Sequence, residues 1–440
     1  MQVEVRNRIS TPCFMCFSPF PFAIPSVAAL LFLSTALARA DAKDQAGIER
    51  ALEGLPAEVR REVRLVPDRP SLPPADAADP LTLAIRLALQ ISGDRETRDR
   101  ELFQCGRQAL AQGRLATSRE VAARISDHRA GLLLLDLAEA EAEQQPKRAL
   151  ELLDLATGLP ALVKPWQAEQ LLSRLVYVGR LLDREDSLTS AWWQALRDPG
   201  ARYVATAALM TQESAETGVY PLANLRAAGQ DPAVRGRPEP GLHDTARRLF
   251  RQALDRLASK DRQQQALGDG LIDAALEVLT LSRVAHAELL VESAVTFYEA
   301  GHETQAQQLF RRAEERFGAP HEAQARLLYQ MARLWRLRGR AADLTAVLEQ
   351  AETQARGMEA MHHPFAFAWL AAAQAQLGND AQVQRLLADA VRACTENPNR
   401  RTALSGAIEI CLCQARTGRP LPDAVFAGLA SLAGSTAEAN

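Results

Sequence analysis

Arg326, Tyr329, Arg333 and Arg336 recur at spacings of three, four and three residues. In a helix that spacing puts three guanidinium groups and a phenol on one aligned face. A guanidinium presents a fork of N–H donors that matches a carboxylate in two parallel hydrogen bonds, so the chemistry on offer is recognition of acidic groups. The apolar residues of the same segment, Leu328, Met331, Ala332 and Trp335, form a separate face. Glu288 and Glu292, upstream, offer a competing use for the arginines, as partners across a solvated surface.

Other reactive residue types do not assemble into a motif. The histidines are His128, His243, His286, His302, His321, His362 and His363. None pairs at the four-residue spacing of a helical zinc site, and neighbours in sequence project in different directions, so no metal is expected. His362-His363-Pro364 reads as the beginning of a helix, with the proline in its first turn. Gly268-Asp269-Gly270 is too short to cradle a phosphate and reads as a kink or a junction between helices. Trp192-Trp193 reads as one ring in a helical core with its neighbour at the rim. Carboxylates occur on most solvated faces, which gives no pointer to acid–base catalysis. No cofactor is expected.

These residues sit in a chain of 440 with 47% hydrophobic and 24% charged residues but only 5% aromatics. Such a chain buries a large core built mainly from Ala and Leu, which suits closely packed helices. Arg6 and Arg8 precede an uncharged stretch over 9–38, with an apolar core at 27–37 and Ala38-Arg39-Ala40 behind it. Residues 1–40 therefore read as an export signal, with an uncleaved membrane anchor as the alternative. Its removal takes three basic residues and one acidic residue, moving the net charge from −3 to −5. Both signs are mixed along the helices, which excludes strong nucleic-acid affinity. The four remaining cysteines are Cys105, Cys394, Cys411 and Cys413. A turn near 397–399 would set Cys394 and Cys411 about 12 Å out of step, beyond the ~7 Å reach of a disulfide, so free buried thiols are expected.

Residues 41–80 form a proline-rich segment containing Pro67, Pro70, Pro73, Pro74 and Pro80, which restricts the residues before them to extended shapes. Helical spacing over 81–217 predicts helices at 81–91, 95–112, 115–125, 129–143, 146–156, 165–183 and 187–197. Residues 218–241 carry Pro221, Gly229, Pro232, Gly236, Pro238 and Pro240 and read as a long loop or a linker between two halves. Helical spacing resumes over 242–434, and 435–440 is a polar tail.

Within this last region a pattern repeats. Ala294, Phe297, Gly301, Ala306, Phe310 and Ala313 are echoed after 38 residues by Ala332, Trp335, Gly339, Leu344, Leu348 and Ala351. Ala371, Gly378, Val383, Leu387 and Ala390 echo it again after 39 more. Periods of this length made of two helices indicate a repeat array, because one pair cannot bury its apolar face alone. The segment 294–313 resembles a tetratricopeptide repeat, and the resemblance is clearest over 287–395. Ala246, Phe250 and Ala253 match only the second helix of such a repeat, which leaves the pairing of 262–282 open.

The resemblance implies an all-α solenoid of antiparallel helix pairs, as one array or in two halves, whose first helices line a groove. It places Arg326, Tyr329, Arg333 and Arg336 at or beside groove-facing positions. The lysine and asparagine of the carboxylate-clamp members are absent. Val291 and Val295 hold those positions in one repeat, and Tyr329 and Arg333 hold them in the next. The expected function is a noncatalytic, exported scaffold, periplasmic or secreted, that binds a protein or peptide, acidic where it meets the arginines. A structural spacer or oligomerisation module is the alternative, and an enzyme using Tyr220, Asp231, Arg235 and Glu239 of the 218–241 loop is the third reading.

Overall fold

A computed structural model describes residues 79–183, 186–235, 241–282, 286–314, 321–339 and 344–434. The chain divides into two compact units, Met1–Ser71 and Leu72–Asn440, and every described residue belongs to the second. The leader expected over 1–40, the proline-rich segment up to residue 78 and the tail 435–440 lie outside the described residues.

Among the described residues there are nineteen α-helices and two short 3-10 turns, without a strand. Short acidic side chains set where many of them begin. Asp79, Asp94 and Asp198 each accept a hydrogen bond from the backbone N–H three residues on, satisfying a donor that the helix itself cannot. Pro80 and Pro199 follow at the first helical position, where the missing N–H costs nothing. At other ends, Gly301 and Gly378 take φ of 85° and 78°, a conformation that a side chain would strain. Both lie where the repeat pattern requires a stop.

In chain order the helices are α1 (Pro80–Leu89), α2 (Arg95–Ala111), α3 (Leu115–Ala122), α4 (His128–Glu141), α5 (Pro146–Thr157) and α6 (Pro165–Leu181). Then come α7 (Asp186–Ala195), α8 (Pro199–Thr217), α9 (Leu222–Ala228), α10 (Leu242–Leu257), α11 (Arg262–Ser282) and α12 (Ala287–Glu299). The last are α13 (Glu303–Glu314), α14 (His321–Leu337), α15 (Thr345–Arg356), α16 (His363–Gln376), α17 (Asp380–Thr395), α18 (Arg400–Thr417) and α19 (Asp423–Gly434). No helix among the described residues is long and apolar enough to cross a membrane.

Packing follows a simple rule. Each even-numbered helix from α2 to α18 packs on the even-numbered helices before and after it, and most odd-numbered helices cover the even one that precedes them. Ala294, Phe297, Ala306, Phe310 and Ala313 are buried where α12 meets α13. The row also returns on itself, because α18 packs on α1 and α2. Leu81 and Leu87 of α1 share one apolar core with Leu404 and Ile408 of α18. Polar contacts join the same ends. Gln112 Nε2 donates to the Ala415 carbonyl at 2.8 Å, Ser405 Oγ donates to Glu101 Oε1 at 3.1 Å, and Arg401 pairs with Asp94 at 2.6 Å.

Three expectations change. The division into two halves does not appear, since 81–217 and 242–434 belong to one unit. The stretch between them contains α9, bracketed by Pro221 and Gly229, with Tyr220, Leu225 and Val234 buried. Its breakers end a short helix instead of forbidding one. Gly268-Asp269-Gly270 is not a junction between helices, because it lies inside the single α11. There Gly268 lets the backbone of α10 approach: a Cβ at this position would stand 3.0 Å from the Ala253 carbonyl oxygen. That close crossing also resolves the pairing. α11 is a single helix laid on α10, so Ala246, Phe250 and Ala253 stand on a leading helix that contacts α8 and α12, not on a second one.

Candidate binding site in the inner helices

The charged residues of the even-numbered helices face one another across the row. On α4, Asp136 and Glu139 are one turn apart, and both accept from Arg174 Nη2 of α6, at 2.6 and 2.8 Å. Arg248 of α10 grips the same Glu139 with Nε at 2.8 Å and Nη2 at 3.0 Å. Its guanidinium carbon lies 3.9 Å from the centre of the Tyr177 ring on α6. One carboxylate thus ties together three helices that the sequence separates by 109 residues.

The carboxylates of this network differ: burial pushes Asp136 up despite the Arg174 and Arg107 charges beside it. Burial opposes the charge on Glu139, but the Arg174 charge and the hydrogen bonds from Arg248 outweigh it and hold the carboxyl well below the usual range. Asp244 follows the same logic: burial raises it, and Arg174, Arg248, Arg247 and Arg107 together pull it lower. Burial also disfavours charge on Arg174, and Asp136 and Glu139 overcome that as well. The Arg248–Tyr177 pair separates two cavities. One, of about 1020 Å³, is bounded by α6, α7, α8 and α10 and includes Trp193, Gln212 and Asp255. The other, of about 710 Å³, includes Trp166, Arg174 and Asp244.

A second cluster continues along the row. Arg247 of α10 reaches Glu292 of α12 at 3.9 Å, and Glu288 of α12 takes Arg326 Nε of α14 at 3.0 Å. The guanidinium carbons of Arg326 and of Arg416 on α18 lie 5.1 and 4.7 Å from the Trp369 ring centre. Tyr329 tilts against the same ring at 5.5 Å and donates its hydroxyl to the Arg416 carbonyl at 3.3 Å.

The four residues singled out by spacing therefore separate. Arg326 and Tyr329 join the Trp369 cluster, and Tyr329 is only 3% exposed. Arg333 pairs with Glu299 of α12 at 3.3 Å, while Arg336 is exposed. Glu288 is a partner of the stripe, as its alternative reading anticipates, but Glu292 turns toward Arg247 instead. The third reading finds its residues dispersed. Tyr220 is buried and donates to the Ala207 carbonyl at 3.1 Å, Asp231 accepts from the Ala233 N–H, and Arg235 is exposed. Glu239 lies outside the described residues. Of the tryptophan pair, Trp192 packs over Gly179 and Trp193 borders the larger cavity.

The rings of His243 and His286 meet at 4.7 Å, tilted by 44°, although 43 residues separate them. Among the described residues no group of three or more His, Cys, Asp or Glu is arranged to hold a metal ion. Cys105, Cys394, Cys411 and Cys413 are all buried free thiols. Sequence reasoning missed Glu139, Arg174, Tyr177 and Arg248. One signal was present: Arg174 interrupts the apolar run 171–178, and a charge kept inside an apolar stretch requires a partner.

Compared with protein-family models, curated proteins and solved structures, the chain matches none.

Proposed function

We propose that the unit Leu72–Asn440 is a tetratricopeptide-like α-solenoid of antiparallel helix pairs, and that it is a noncatalytic scaffold binding a protein or peptide. The carrying observation is the recurrence of arginine–aromatic groups on even-numbered helices, Arg174 and Tyr177 on α6 with Arg248 on α10, and Arg326 on α14 with Trp369 on α16, the first group beside cavities large enough for side chains of a partner. A stacked core fixes the intervals between these groups, so an extended partner meets them in register. Where the partner crosses α14 it is acidic, because Arg333 and Arg336 reach the surface there. The basic, apolar and small-residue order of 1–40 supports export, to the periplasm or beyond the cell, with retention by that segment in the membrane as the alternative.

One observation favours a second reading, a structural spacer: charges already neutralise each other, in the interior as Arg248 does Glu139 and nearer the surface as Arg326 does Glu288. Affinity capture from the native envelope fraction separates the two. The wild-type chain is expected to retain specific proteins at low salt and to lose them at high salt, since exposed ionic contacts weaken as the Debye length falls to about 3 Å at 1 M. The folded Arg333→Glu, Arg336→Glu double variant is expected to lose them at low salt. Equal recovery of the same proteins by both chains would sink the acidic-partner assignment, and recovery of none by the wild type would favour the spacer.

A further inference from the structure

Carboxylates on the inner helices are matched by arginines: Asp136 and Glu139 by Arg174, Glu288 by Arg326 and Glu292 by Arg247. The larger cavity departs from that rule. Its volume of about 1020 Å³ is at the upper end of ligand pockets, ~300–1,000 Å³, and six carboxylates border it against three arginines. Glu139 is taken by Arg174 and Arg248. The other five, Glu143, Asp183, Glu213, Glu216 and Asp255, form no ion pair among the described residues. Glu143 lies just beyond α4, Asp183 just beyond α6, Glu213 and Glu216 on α8 and Asp255 on α10. Each is exposed, so an occupant can reach it.

The neighbouring bases do not cancel these charges. Arg248 is spent on Glu139, which leaves Arg180 and Arg251 on the wall. Arg256, the next residue along α10, donates to the Ala215 and Glu216 carbonyls at 2.6 and 3.3 Å, and counting it as well still leaves two negative charges in excess. Burial and the Glu143 charge push the Asp255 carboxyl up against the pull of Arg251, so like charges crowd this wall. A cleft lined by one sign of charge focuses its field and concentrates counter-ions, which excludes an anionic occupant. The carboxylates are spread around the wall, and among the described residues no three His, Cys, Asp or Glu are arranged to hold a metal ion. Such spacing suits several cationic groups carried on one extended chain. Ser190 and Gln194 offer hydrogen bonds to its backbone, and the half-buried Trp193 offers a ring over which a cation can lie, as Arg248 lies over Tyr177.

We propose that this cavity takes a basic segment of the bound peptide, its lysine or arginine side chains paired with the unmatched carboxylates. The proposal rests on the peptide-binding reading above and adds a polarity to it. The partner is basic where it meets α6 to α10 and acidic where it crosses α14, so it lies along the row in one direction.

The test uses the full chain with its five tryptophans replaced by 5-fluorotryptophan, the Trp193 resonance being assigned by its loss in Trp193→Phe. At low salt, acetyl-Gly-Lys-Gly-Lys-Gly-amide is expected to shift that resonance saturably. The same peptide with glutamine or glutamate at both lysine positions should leave it in place. The double variant Glu143→Gln, Asp255→Asn should bind the lysine peptide about threefold to tenfold more weakly, the worth of two partly exposed ion pairs. Should that variant fail to fold, judged by the other four resonances, Glu213→Gln with Glu216→Gln removes two charges from α8 and carries the same expectation. A Trp193 signal unmoved by the lysine peptide overturns the proposal, as does an equal response to the glutamine peptide or undiminished binding by the folded variant. A response to magnesium or to 1,4-diaminobutane at lower concentration than to the peptide overturns the peptide occupant. Because the titration needs no natural partner, a silent Trp193 with intact capture from the envelope fraction refutes the basic-segment site alone. A normal titration without capture refutes the scaffold reading alone.

Discussion

Arg248 concentrates three kinds of interaction in one side chain: two hydrogen bonds to Glu139, a cation over the Tyr177 ring, and a wall between two cavities. Truncating it leaves Glu139 buried with one guanidinium in place of two, and removing one member of a buried pair costs about 3–5 kcal/mol. Arg248→Ala is therefore expected to lower unfolding stability at pH 7 by about 3 kcal/mol in a urea titration. The pH dependence carries the cause. Glu139 is depressed in the folded state, so its contribution is fully present above the ordinary glutamate range near ~4.3 and is lost as the pH falls below it. The difference between wild type and Arg248→Ala should shrink as the pH falls below that range toward the depressed folded value, and a difference that stays constant would mean that packing, not the ion pair, explains the loss. At this scale the sequence was partly legible. Spacing found Arg326 and Tyr329 because they share one helix, whereas Glu139, Arg174 and Arg248 meet only through contacts between helices, which no local period records.

Helices were far more legible than their side-chain partners. Apolar helical spacing located the seven helices from Pro80–Leu89 to Asp186–Ala195 with starts within one residue of expectation. The misreading of α11 shows where local rules lose. Two glycines within three residues cost a helix about 1 kcal/mol each, but Leu271, Ile272, Ala275, Val278 and Leu279 are buried in the shared core, and that burial overrides the local preference. The two glycines also differ. A Cβ at Gly268 would meet the Ala253 carbonyl and the Leu257 side chain, whereas one at Gly270 would meet nothing within 4 Å. Gly268→Val is expected to destabilise by about 1–3 kcal/mol through overpacking. Gly270→Ala should stabilise by about 0.5–1 kcal/mol. Thermal melts of the two variants check both signs, and a shift of both in the same direction would show that α10 and α11 do not cross at Gly268.

Across the whole second unit, the decisive feature is the contact of α18 with α1 and α2. Linear repeat arrays open from their free ends, whereas here each end covers the other. Backbone amides of α1 and α18 are therefore expected to exchange with deuterium as slowly as those of α10. Fast exchange confined to α1 would show that the closing contacts add no stability. The closure was not read from the sequence, although its trace was there. In α1 nearly every residue is apolar and eight are buried, so no face is left for solvent, which marks a helix surrounded on all sides. A pattern of that kind announces that partners exist without saying which. The same feature governs how the protein is made. About 300 residues separate the contacts that join the ends, and at ~5–20 residues per second a ribosome needs about 15–60 s to cover that distance. The largely apolar α1 is thus synthesised ahead of the other described helices and waits longest for its cover, which makes α1 the segment that a holding chaperone must shield until translation has passed Thr417.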